Sequence, residues 1–143
     1  MSKHDSEIAD GMDISLAALN RATNELLWSG ANNGLVQLRD KQIIEYTGVK
    51  KPIGASEIEL NYVTHRIPLQ KGDRLYLFSD GIVDQFGGEK AKKLRKKQLL
   101  EWILRTAELP VSEQLSFIRE SFLQWKANEE QTDDVLLIVV NYS

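Results

Sequence analysis

Leu75-Tyr76-Leu77-Phe78-Ser79-Asp80-Gly81-Ile82-Val83-Asp84-Gln85-Phe86-Gly87-Gly88 decides the fold. Its first four residues are large and apolar or aromatic without a break, the pattern of a buried strand. The strand closes on a carboxylate followed at once by Gly. A second carboxylate, Asp84, comes one helical turn later, and a Gly pair ends the segment. An Asp at the mouth of a rigid strand has its oxygens held in place, which suits a metal ligand or an acid/base group. Gly81 lets the backbone turn away without a Cβ clash. Read by itself, Asp80-Gly81 is equally a plain turn, because Asp-Gly is a common turn pair.

A second acidic stretch, Gln131-Thr132-Asp133-Asp134-Val135-Leu136-Leu137-Ile138-Val139-Val140, shifts that balance. Here carboxylates precede a β-branched and aliphatic run instead of following one. If the two strands are antiparallel neighbours, the end of one meets the start of the other, and Asp80, Asp84, Asp133 and Asp134 crowd one sheet edge. Close carboxylates repel unless a cation sits between them. Oxygen ligands without Cys suit a hard ion, Mg²⁺ or Mn²⁺. Hydrolysis assisted by a divalent ion is the chemistry that such a cluster supports.

At 143 residues, with 42% hydrophobic and 27% charged residues, the chain reads as a single globular domain, 1–143. The absence of Cys excludes a disulfide frame and a Cys-based zinc site. A net charge of −3 argues against nucleic acid as the main partner. No apolar run approaches the roughly 18 residues of a membrane helix, and no signal peptide opens the chain, so a cytoplasmic domain is expected.

Residues 1–10 read as a flexible polar tail. Residues 12–30 read as a hairpin turning at Asn20–Asn24, followed by the small, flexible loop Gly30-Ala31-Asn32-Asn33-Gly34. Leu35–Arg39 and Gln42–Tyr46 form a second hairpin about Asp40-Lys41. Residues 47–57 connect to an extended piece at Ile58–Leu69, and Gln70-Lys71-Gly72-Asp73 is a turn into the central strand. The i, i+4 pairs Leu99/Ile103 and Leu100/Leu104 predict a helix over 92–108. Pro110 breaks it, and Ser112 is the expected N-cap of a second helix. Leu115, Ile118, Phe122 and Trp125 give that helix one apolar stripe. The fold class is α+β. Lys90, Lys92, Lys93, Arg95, Lys96 and Lys97 read as a solvated helix face or as a dock for an acidic or phosphorylated partner. His4 and His65 are isolated and take no role.

Several blocks resemble the C-terminal part of the SpoIIE-type branch of the PP2C (PPM) serine/threonine phosphatases. They are Asp10-Gly11-Met12-Asp13-Ile14-Ser15-Leu16, Gly30 to Gly34, Lys51-Pro52-Ile53-Gly54, Leu69 to Asp73, Leu75 to Gly88, Trp125-Lys126 and Gln131 to Val135. They span nearly the whole chain in order, and Ser79-Asp80-Gly81 and Asp133-Asp134 are the most specific. The run Asp84-Gln85-Phe86-Gly87-Gly88 is similar to the variant at the end of large bacterial sensor proteins.

The resemblance implies a PP2C-like antiparallel β-sandwich with flanking helices (αββα) and a binuclear Mn²⁺ or Mg²⁺ site at one sheet edge. It implies Asp80 and Asp133 as metal ligands and Asp84 as the holder of an additional, looser ion. Asp134 and Gly81 would support the site. It implies hydrolysis of phosphoserine or phosphothreonine by a metal-activated water, in bacterial two-component signalling. The partners implied are a phosphoprotein substrate and a covalently linked upstream sensor domain, which could be membrane-anchored. A homodimer is a further expectation.

One block of the family is missing. Its N-terminal half carries an Asp and then a Gly-Asp-x-x-Gly-x-Gly-like segment whose residues bridge the two metals. Asp10-Gly11 does not replace it, because in chain order it belongs to a later strand. The domain is therefore expected to be incomplete at its N-terminal side, to hold at most one ion weakly, and to show little or no activity by itself. The competing readings are a degenerate, non-enzymatic module that binds a phosphoprotein or mediates dimerisation, and a β-rich domain with a structural Ca²⁺.

Overall fold

Strand β6 (Arg74–Phe78) occupies an interior position in a four-stranded sheet. The computed structural model describes residues 10–54 and 61–143. The expected tail before Asp10 and the first residues of the extended piece expected from Ile58 lie outside them. Before β6 come β1 (Ile14–Asn20), β2 (Glu25–Ala31), β3 (Leu35–Arg39), β4 (Gln42–Tyr46) and β5 (His65–Pro68). After it come the one-turn helix α1 (Asp80–Val83), β7 (Phe86–Gly87), β8 (Lys92–Lys93), α2 (Arg95–Arg105), α3 (Val111–Lys126) and β9 (Leu137–Asn141).

The strands form one sheet in the order β1-β2-β5 and a second in the order β4-β3-β6-β9, with β7 and β8 as a separate small hairpin. All neighbouring strands in the two main sheets are antiparallel. Successive residues of β6 serve opposite faces, as the pleat requires. Leu75 packs in a core with Leu26, Trp28, Leu35, Ile67 and Tyr142, between the two sheets. Tyr76 packs with Leu99, Ile103, Ile118 and Phe122 of the helices. Both faces of the strand are therefore covered, which is why its sequence is apolar without alternation. Each large side chain fully buried there contributes about 1.5–3 kcal/mol.

The helices cover one face of the four-stranded sheet. The three-stranded sheet is less covered among the described residues, and Leu16 of β1 is 63% exposed. No described helix is long and apolar enough to cross a membrane.

Element boundaries differ from the sequence reading at several points, and of the extended piece expected up to Leu69 only His65–Pro68 is described as a strand. The first long helix begins at Arg95, because Lys92 and Lys93 pair with Gly87 and Phe86. The second begins at Val111 with Pro110 in the capping position, so Ser112 lies inside its first turn. Proline's preset φ suits a helix start. The last strand begins at Leu137, because Ser79 takes both backbone hydrogen bonds of Leu136. Asp80 is the first residue of α1, not the end of a strand.

Buried polar residues hold the layers together. Gln114 of α3 is fully buried, accepts from Tyr76 Oη at 2.8 Å and donates to the Ile103 carbonyl at 3.1 Å. Asp73, 1% exposed, accepts from Arg39, from Gln37 Nε2 at 2.9 Å and from the Gln70 amide at 2.9 Å. Burial alone would push the Asp73 carboxyl up, but these hydrogen bonds and the Arg39 charge hold it below the usual carboxylate range.

Candidate functional site

The register Phe78↔Leu137 sets the end of β6 beside the start of β9. Ser79 then joins the two acidic motifs. Its amide donates to the Leu136 carbonyl at 3.0 Å, its hydroxyl donates to the Asp134 carbonyl at 2.8 Å, and that hydroxyl accepts from the Leu136 amide at 3.0 Å. The chain next to Ser79 runs so close to the second motif that a Cβ at Gly81 would stand 2.2 Å from the Asp134 carbonyl oxygen. No residue with a side chain fits there without moving backbone.

Asp133 stands close enough to Asp80 for its carboxyl to act on that of Asp80. Partial burial, then the charges of Asp133 and Asp84, raise Asp80 above the ordinary carboxylate range, and Asp13 adds a smaller push in the same direction. Asp133 Oδ1 also accepts from the Asp134 amide at 2.8 Å, which limits its rotation. Asp84, half-buried, meets Lys93 Nζ at 3.1 Å. The Asp134 side chain is exposed, and it is the backbone of this residue that contacts Ser79 and Gly81.

A cleft of about 170 Å³ adjoins Asp80 and is bordered by Asn33, Tyr46, Phe78, Val83, Glu45 and Lys96. The donor set is all oxygen and all of one charge, which fits a hard divalent cation. It is also sparse: among the described residues, no group of three or more His, Asp or Glu side chains converges closely enough to hold an ion.

Two contributors escaped the sequence reading. Ser79 stands in the central motif, and nothing in its local sequence distinguishes a stitch between strands from a turn serine. Asp13 lies in the stretch Asp10-Gly11-Met12-Asp13-Ile14-Ser15-Leu16, and its fixing by Asn32 Nδ2 at 2.7 Å depends on a contact 19 residues away. Asn32 itself has φ +60°, a left-handed conformation that Asn tolerates better than most residues.

The family described as Stage II sporulation protein E (SpoIIE) matches residues 3–143. No curated protein matches the chain. Among solved structures, it is similar to the SiaA-PP2C domain of Pseudomonas aeruginosa, with TM-score 0.85 and 24% identity over 92% of this chain and 52% of that one. The phosphatase domain of SpoIIE from Bacillus subtilis, presoaked with Mn, gives 0.64 and 16%, over 91% and 56%. The PPM Ser-Thr phosphatase MsPP from Mycobacterium smegmatis, in complex with cacodylate, gives 0.64 and 14%, over 97% and 66%. The fold is thus that of the PP2C-type serine/threonine phosphatases, and the chain spans about half to two thirds of the length of these solved domains.

Proposed function

The chain belongs to the SpoIIE family, and from that premise we propose that it carries one side of the metal-dependent active site of a bacterial signalling phosphatase. Asp80 and Asp133 would hold Mn²⁺ or Mg²⁺, with Asp84 near enough for a further, looser ion and Asp134 supporting the loop. The observation that carries this reading is the meeting of Asp80 and Asp133 at the joined ends of β6 and β9. Bound there, the ion supplies an activated water and neutralises charge on the phosphoryl group.

The residues of this chain prepare that chemistry. Ser79 ties the two acidic segments together, Gly81 allows their backbones to touch, and the Asp134 amide orients Asp133. The cleft beside Asp80 gives a phosphorylated side chain a place to enter. The substrate is a phosphoserine or phosphothreonine protein, and an upstream sensor domain would govern the site in a cytoplasmic setting. The sparse donor set makes this chain a weak catalyst by itself, because bridging carboxylates are needed for two ions.

A second reading rests on the same sparseness: a non-enzymatic phosphatase-like module that binds a phosphoprotein or mediates dimerisation. A phosphatase assay with Mn²⁺ and a phosphoserine peptide separates the two. The 143-residue chain is expected to turn over at background. A polypeptide spanning the full length of the solved family domains is expected to be active and to lose at least about a hundredfold in kcat on Asp80→Asn. Robust turnover by the 143-residue chain would contradict the half-site, and an inactive full-length polypeptide would favour the binding module.

A further inference from the structure

Residues 90–97 hold six of the chain's eighteen Lys and Arg, and all six are exposed. Two have local partners: Lys93 pairs with Asp84 at 3.1 Å and Lys96 with Glu45 at 2.7 Å. The other four, Lys90, Lys92, Arg95 and Lys97, have no carboxylate within ion-pair distance among the described residues. A solvated helix face would have needed nothing more, but the structure does not put this run on one helix. Lys92 and Lys93 belong to β8, and the helix starts only at Arg95.

The β7–β8 hairpin adds nothing to either core, and a two-stranded hairpin is marginal by itself. Yet it is firmly anchored. The Gly88 amide donates to the Trp125 carbonyl at 2.9 Å, and Trp125 Nε1 donates to the Gln85 carbonyl at 3.2 Å. Gln85, 1% exposed, spans from the Phe86 carbonyl to the Glu130 carbonyl, at 2.9 Å each. At Gly87 the approach is so tight that a Cβ would meet the Trp125 carbonyl oxygen at 2.0 Å. Ala91 in the hairpin turn stands at φ +44°, and Arg95, the first residue of α2, at φ +70°, conformations that cost free energy for residues with a Cβ. A rigid, strained projection that carries unpaired cations is a presented surface.

Its position says what it is presented to. Lys93 touches Asp84, and Lys96 shares with Asp80 the cleft beside the candidate site. The basic face is therefore continuous with that cleft, although the chain as a whole is negative. We propose that the β7–β8 hairpin and the first turn of α2 form a docking surface for an acidic segment of the phosphoprotein, adjacent to the residue whose phosphate reaches the Asp80 cleft. The identity of the partner rests on the phosphatase reading; the charge complementarity does not. Exposed like charges on such a face steer and align an anionic partner and give binding a strong salt dependence.

The test uses two fluorescent peptides that share one phosphoserine, one followed by four glutamates and the other by four glutamines, and an unphosphorylated copy of the first. The chain is expected to bind the acidic peptides about tenfold more tightly than the glutamine peptide at low salt, with or without Mn²⁺. That preference is expected to vanish in K90Q/K92Q/R95Q/K97Q and to shrink in K90Q/K92Q/K97Q, which leaves the strained Arg95 position untouched. Equal binding of acidic and neutral peptides, or an unchanged preference in the folded variants, would overturn the proposal. So would stronger binding to vesicles containing phosphatidylserine than to the acidic peptide. If Mn²⁺ binding at Asp80 fails while the acidic preference stands, the phosphatase reading falls and the docking surface survives.

Discussion

Asp73 and Asp80 flank the same strand, and their surroundings are opposite. Asp73, just before β6, is buried and receives donors from Arg39, Gln37 and the Gln70 amide, so its charge is favoured. Asp80, just after β6, is exposed and faces Asp133, Asp84 and Asp13, so its charge is resisted. The first arrangement stabilises the fold. The second loads the fold with repulsion that a proton or an added cation relieves. One strand thus separates a carboxylate with donors around it from one that is repelled, and the environment decides which is which.

The largest expected effect breaks the structural side. Asp73→Ala leaves Arg39, Gln37 and the Gln70 amide without their acceptor. Because the Arg39 side chain keeps 23% exposure, the loss falls at the lower end of the range for breaking a buried pair, about 3 kcal/mol. Thermal unfolding should then fall by about 10 °C. A drop under about 2 °C would show that the network is not what holds this sheet end.

Acid pH sharpens the contrast. The folded pKa of Asp73 is depressed, so its contribution is present above the unfolded value of about 3.9 and is lost as pH falls through the folded value. The folded pKa of Asp80 is raised, so its contribution is present below the unfolded value and is lost as pH rises through the folded one. Denaturant midpoints followed from pH 7 to pH 3 should therefore respond differently in the two variants. Asp73→Asn flattens the loss of stability on the acid side, whereas Asp80→Asn makes that loss begin at higher pH. Identical profiles would refute the opposite signs.

A smaller effect is expected from Asp80→Asn at neutral pH without metal. Removing a repelled charge should raise the unfolding temperature by about 1–2 °C, the reverse of the usual effect of mutation. The smallest belongs to the Lys41–Glu108 pair, 2.7 Å long but with side chains 67% and 75% exposed. Glu108→Gln should leave thermal unfolding unchanged within error, because solvent screens the pair.

The candidate-site side of the comparison was more legible in the sequence than the structural side. Asp80 and Asp133 adjoin long apolar runs, and antiparallel pairing of those runs brings them together without further information. The hairpins about Asn20–Asn24 and Asp40-Lys41 were legible for the same reason, from alternation and turn chemistry. Asp73 reads as part of a Gln-Lys-Gly-Asp turn, and only its contacts with Gln37 and Arg39, 36 and 34 residues away, make it structural. Gln37, Gln85 and Gln114 carry no local sign of burial, since glutamine is usually exposed. The β7–β8 hairpin is hidden in a lysine-rich run that continues into a helix, and its anchor, Trp125, lies at the far end of α3.

The account stands most directly on one titration: thermal unfolding of the 143-residue chain and of its Asp80→Asn variant against increasing Mn²⁺. The wild type is expected to gain stability with a single weak midpoint, about millimolar, and the variant is expected to gain none. No gain in the wild type, or an equal gain in both proteins, would contradict the claim that Asp80 and Asp133 are held together for a metal ion.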